Sequence, residues 1–162
     1  MNKIKSNKVC NDCIFCKIIS WEMHTPGIFW EDDDFMAFLS IFPNTDGFSV
    51  VVPKKHYQSD LLKMPDDMLQ KFILAAKKVW QILHDYFDDV GRVGLIIEWM
   101  WVNHAHIKLS PMHWTGEMKN GKWKQFESSN NNFFKEYPGY LSSNDSEMAD
   151  QKFIENLAMK LK

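Results

Sequence analysis

Apolar residues recur along the chain at two periods. Between residues 64 and 87, Met68, Phe72, Ala75, Ala76, Val79, Leu83, Tyr86 and Phe87 follow helical spacing. The stripe predicts one long helix with a core-facing side. Pro65 suits its first turn, Asp66 and Asp67 complement the positive end of its dipole, and Gly91 stands where a helix-ending glycine belongs. His84 falls at the stripe's edge and has no chemical role. Between residues 102 and 111 the period drops to two, which predicts a strand. Ala105, Ile107 and Leu109 then share one face, and His104, His106 and Lys108 the other.

Shorter runs fill in the rest. Residues 27–30 and 35–39 read as two strands separated by an acidic turn, Glu31-Asp32-Asp33-Asp34. The acidic turn is read as solvated rather than as a cation site. Residues 43–47 form a second turn, and the β-branched run 48–53 a third strand ended by Pro53. Residues 93–97 form a strand that pairs with the His104 strand as a hairpin. Residues 115–141 are polar with interspersed aromatics (Trp123, Phe126, Phe133, Phe134, Tyr137, Tyr140), which predicts an ordered excursion rather than a linker. Asn144 and Glu147 form a capping box for a last helix reaching Leu161. The expectation is a single α+β domain over residues 1–162, with no internal repeat.

Composition narrows the function classes. A formal charge of -2 gives no electrostatic case for bulk nucleic acid. No apolar run reaches the length of a membrane span, and the first residues are polar and basic without an apolar signal core. The expected location is the cytoplasm. The 3 cysteines lie at Cys10, Cys13 and Cys16. An odd, clustered set in a reducing compartment reads as a metal site rather than a disulfide framework. A C-x-x-C pair supplies only half of a tetrahedral zinc site, so two further ligands must come from elsewhere.

The His104 strand carries the candidate chemistry. Two imidazoles and an ammonium on one face are costly to bury without a purpose. They suit a metal, a phosphate, or a nucleophile directed at phosphorus; the bland alternative is a solvated face with chance histidines. His56 lies in a loop just beyond the third strand.

Several separated pieces share one likeness. They are Cys13-Ile14-Phe15-Cys16-Lys17-Ile18-Ile19, Glu31-Asp32-Asp33 with Ala37-Phe38-Leu39, Pro43 and Gly47, Val50-Val51-Val52-Pro53-Lys54-Lys55-His56, and His104-Ala105-His106-Ile107-Lys108-Leu109-Ser110-Pro111. In this order and spacing, over about residues 13–111, the chain closely resembles the histidine triad (HIT) superfamily of nucleotide hydrolases and transferases. The resemblance implies an antiparallel sheet of about five strands with one long helix and a C-terminal helix. It implies a homodimer whose sheets join, a core at about 13–111 and an extension at 112–162. It also implies that His106 is the nucleophile, with Lys108 in the place of the third triad histidine. Cys13, Cys16, His56 and His104 are implied as ligands of a structural zinc, leaving Cys10 spare. Ser40, Asn44, Trp99 and Trp101 are implied to lie beside a purine nucleotide substrate.

Some positions depart from the pattern. Lys108 can neutralise phosphate charge but shuttles protons poorly at its usual pKa, and it also reads simply as an outward strand lysine. Ser40 replaces a ribose-binding aspartate, and Gly47-Phe48 replaces a glycine-histidine pair. Trp21, Trp99, Trp101 and Trp114 stand where the resemblance, or a turn, calls for glycine. One reading is that UGA codons meaning glycine were decoded as tryptophan; the other is that real indoles pack or stack there. The expected activity is hydrolysis of a nucleotide α-phosphate bond through a covalent nucleotidyl-histidine. The alternatives are a catalytically impaired, zinc-stabilised nucleotide-binding protein or an interaction module.

Overall fold

Val50, Val51 and Val52 stand in the middle strand of the computed structural model, which describes residues 12–25, 27–98, 100–123, 125, 133–141 and 150. β-Branched side chains suit a pleated surface covered on both sides, and these three are buried. The strands are β1 (Ile28–Glu31), β2 (Phe35–Leu39), β3 (Ser49–Pro53), β4 (Arg92–Ile96) and β5 (Ile107–Met112). They form one antiparallel sheet in the order β1-β2-β3-β5-β4.

The pleat divides the apolar residues between two helices. Phe35, Ala37, Val51, Ile107 and Leu109 meet α2 (Asp66–Tyr86) through Phe72, Ala75, Ala76, Val79 and Leu83. Phe35 stacks on Phe72 with ring centroids 5.2 Å apart. Burying such a side chain contributes roughly 1.5–3 kcal/mol. Met36, Phe38, Val50 and Val52 point the other way, against Phe15, Ile18 and Ile19 of α1 (Ile14–Ile19). The α+β architecture and its five antiparallel strands agree with the sequence reading.

Three expectations need correction. The alternation 102–111 is strand only from Ile107. Upstream, the Ala105 N–H donates to the Tyr57 carbonyl and the His104 N–H to the Val102 carbonyl, so this segment leaves the ladder. Asn103 Oδ1 accepts from both the N–H and the hydroxyl of Ser59, which ties it to the segment after β3. Gly91 does not close the helix, because α2 ends at Tyr86. A Cβ at Gly91 would instead run into the Thr115 carbonyl oxygen, so glycine is required there by close backbone approach. Finally, α1 was not anticipated: Ile14-Phe15-Cys16-Lys17-Ile18-Ile19 is too short to show a helical period.

By its internal contacts the chain falls into two units, residues 1–123 and 124–162. Everything above lies in the first. In the second, the rings of Phe134 and Tyr140 pack edge to face at 5.8 Å. The capping box at Asn144 and Glu147, the last helix, Cys10, Trp99 and Phe126 lie outside the described residues. Among the described residues, no helix is long and apolar enough to cross a membrane.

Candidate functional site

Cys13 sits at the N-cap of α1 and Cys16 one turn further on, so a single turn of helix directs both thiols to one side. His56 arrives from the loop after β3, and His104 from the segment entering β5. The ligand atoms of these four residues lie within 4.8 Å of one another. Cys13 Sγ is 3.4 Å from His104 Nδ1, and Cys16 Sγ is 3.5 Å from that atom and 3.3 Å from His56 Nδ1. A zinc tetrahedron with bonds of about 2.3 Å to sulfur and 2.0–2.1 Å to nitrogen has S···N edges of roughly 3.5 Å. The spacing therefore fits Cys₂His₂ ligation.

The protonation of His104 points the same way. Its Nε2–H donates to the Pro53 carbonyl at 2.9 Å, which leaves the Nδ1 lone pair facing the sulfurs. The ring is wholly buried, and this desolvation pulls its pKa down to about 4, outweighing the favourable bond to Pro53. His104 is thus held neutral, as a ligand must be.

His106 lies two residues on. Its Nδ1–H donates to the His104 carbonyl at 2.7 Å, and burial holds the ring below the usual imidazole pKa. The proton is therefore fixed on Nδ1, and the lone pair resides on Nε2. The residue is 2% exposed, and the Phe15 ring packs on it at 5.6 Å and on His104 at 5.8 Å. Lys108 follows on the same face of β5, where it forms an ion pair with Glu98. Both side chains are largely covered, at 18% and 14% exposure.

Ser40 and Asn44, two further sequence candidates, stand in turns. The Ser40 N–H donates to the Phe48 carbonyl, and its hydroxyl accepts from the Phe42 N–H, which closes a turn. Asn44 is exposed in the next turn. Both stand at the end of β3 opposite His56. Trp101 is 87% exposed, with a positive φ of 80°. Trp99 lies outside the described residues. His113 bridges the Asp89 carboxylate and the Asp46 carbonyl, joining three loops.

Sequence reasoning missed Glu98 and Phe15. A lone acidic residue after the apolar run Leu95-Ile96-Ile97 was the available signal for Glu98. Phe15, between two cysteines, gave none, because its role follows from a helix too short to read.

Comparison with known proteins agrees with this fold. A family model described as the HIT domain matches residues 24–114. An uncharacterized HIT-like protein of Methanocaldococcus jannaschii is 39% identical over 105 residues, 62% of this chain and 79% of that protein. The adenosine 5'-monophosphoramidase of Saccharomyces cerevisiae is 32% identical over 100 residues, 61% of either chain. A HIT family protein of Bacillus anthracis, solved by crystallography, shares the fold with a TM-score of 0.59, covering 93% of this chain and 95% of its own at 22% identity.

Proposed function

The chain belongs to the HIT domain family, and from that premise we propose that it is a nucleotidyl hydrolase acting through His106. The observation that carries this reading is the hydrogen bond from His106 Nδ1 to the His104 carbonyl. It commits the ring to one tautomer, with a nucleophilic Nε2 ready at neutral pH. Nε2 attacks the α-phosphorus of a purine nucleotide amide, adenylate or dinucleoside polyphosphate. The bond to the leaving group breaks, and a nucleotidyl-histidine forms. Water then attacks phosphorus and returns His106. The yeast monophosphoramidase, which shares residues with this chain, supports a phosphoramidate among the substrates.

Cys13, Cys16, His56 and His104 would hold a structural zinc. With all four positions taken by protein, such an ion supplies rigidity rather than an open site. His104 carries the carbonyl that orients His106, so whatever fixes His104 also aims the nucleophile. The reading includes a cytoplasmic homodimer. Exposed Leu95, on the edge strand β4, supports a second copy there.

A specific observation favours a second reading, a nucleotide-binding protein with impaired catalysis: His106 is nearly covered, with Phe15 against it. One experiment separates the two. Hydrolysis of a panel of adenylate and guanylate amides, together with adenosine 5'-phosphosulfate, is measured for the chain, His106→Ala and His106→Asn, with zinc content in parallel. The hydrolase reading expects about one zinc per chain throughout, and a loss of at least ~10³-fold in rate without His106. Nucleotide binding by calorimetry with equal, negligible rates in all three supports the binding protein.

A further inference from the structure

The ion pair beside the nucleophile bears on which bonds the site can break. On the reading of His106 as nucleophile, we propose that the Glu98–Lys108 pair makes the site selective for leaving groups that depart as anions, such as a carboxylate, phosphate or sulfate, over amines. Lys108 follows His106 on the same face, and its ammonium is held against the Glu98 carboxylate with both groups largely covered. The Glu98 carboxylate thus already occupies the ammonium, and its hydrogens are committed to that partner.

An ammonium committed to a carboxylate partner offers a leaving group no proton. Cleaving a P–O bond to a carboxylate or sulfate needs no proton donor. The His106 Nε2–phosphorus bond forms, the P–O bond breaks, and its electron pair stays on the departing oxygen. A carboxylic acid ionises near pH 4, so that oxygen requires no proton at neutral pH. Cleaving a P–N bond is different, because the nitrogen must be protonated as it leaves, and Lys108 is tied to its partner. In the second step, water displaces Nε2 from phosphorus and its proton passes to solvent. Lys108 is the group that would touch the leaving atom; Glu98 is a positioning residue.

The test compares kcat/KM for adenosine 5'-phosphosulfate and adenosine 5'-phosphoramidate across pH. The proteins are the chain, Lys108→His and Glu98→Gln. The sulfate-to-amidate ratio should fall at least ~10-fold in Lys108→His, whose imidazole can donate a proton. The gained amidate activity should decline above about pH 7. Glu98→Gln, which releases the ammonium from its partner, should lower the ratio in the same direction. Equal ratios in the chain and Lys108→His, at similar pH profiles, overturn the inference. No turnover of either substrate, by the chain and by a Trp99→Gly/Trp101→Gly variant alike, overturns the hydrolase reading and this inference with it.

A separate observation concerns the tryptophans. Among the described residues, the non-glycine positions with positive φ are Trp21 (63°), Trp101 (80°) and Trp114 (64°). The left-handed region crowds a Cβ, so glycine is the usual occupant and a bulky aromatic is an outlier. Burial offers no compensation, since the three are 64%, 87% and 83% exposed. Trp30 and Trp80 behave otherwise: each is half-buried against the core, in β1 and α2.

We infer that positions 21, 101 and 114 are glycine positions, filled by tryptophan because UGA codons meaning glycine in the source organism have been decoded as tryptophan. The gene provides the test. UGA is expected at codons 21, 101 and 114, and at 99 by its kinship in sequence, with UGG at 30 and 80. UGG at 21, 101 and 114 overturns the inference. At the protein level, Trp→Gly at 21, 101 or 114 should leave the melting temperature unchanged or raised, whereas Trp80→Gly should lower it by several degrees; equal losses at all four positions also overturn it.

Discussion

His104 joins two roles that are usually separate: a side chain shaped to bind metal and a backbone carbonyl that orients its neighbour. Its burial makes the fold sensitive to acid. The pKa is lowered from 6.5 to about 4 in the folded chain, chiefly by desolvation. The unfolded chain therefore takes up the proton first as pH drops. Stability from this group is complete above about pH 6.5 and is lost as pH falls towards 4. For the metal-free protein the loss is on the order of 3 kcal/mol by pH 4, measurable by urea unfolding at stepped pH. A flat profile between pH 7 and 4.5 would contradict it. At this scale the sequence was informative where residue type alone limits the chemistry, as for Cys13 and Cys16, whereas His56 and His104 entered as ligands only through the resemblance. It was silent on Glu98, whose importance comes from a partner ten residues away that only the β4–β5 pairing brings near.

Elements were legible where a period ran long enough. The α2 stripe spans several turns, and Phe72, Ala75, Ala76, Val79 and Leu83 meet the sheet as read, whereas Tyr86, at the end of the helix, is exposed. Alternation misled at 102–106, because a period of two persists there while the Ala105 N–H turns to Tyr57 instead of a neighbouring strand. The turn after α2 is another such place. The Gly91 N–H donates to the Thr115 hydroxyl at 2.9 Å, and the Thr115 carbonyl occupies the space a side chain would need. Gly91→Ala must push these backbones apart, at a cost of about 1–3 kcal/mol. Denaturant midpoints at unchanged slope would report it; a variant as stable as the parent would show that the approach is looser than described.

Across the first unit, the sheet separates two tasks. One face is packed by α2 and forms the larger core; the other carries α1, Phe15 and the line from His104 through His106 to Lys108. On the proposed reading, catalysis falls on the side built from the smaller cluster, beside four candidate ligand atoms drawn from three separate segments. This assembly was foreseeable only through its likeness to other proteins, since no spacing rule links Cys13 to His104 across 91 residues. The central claim is that His106 Nε2 takes the nucleotide. The most direct measurement is peptide mapping by mass spectrometry after acid-free quenching with a slowly hydrolysed adenylate. The account predicts one adenylyl group on the peptide containing His106, absent in His106→Asn. Turnover with the label on another residue, or with no label at any time during the reaction, would contradict it.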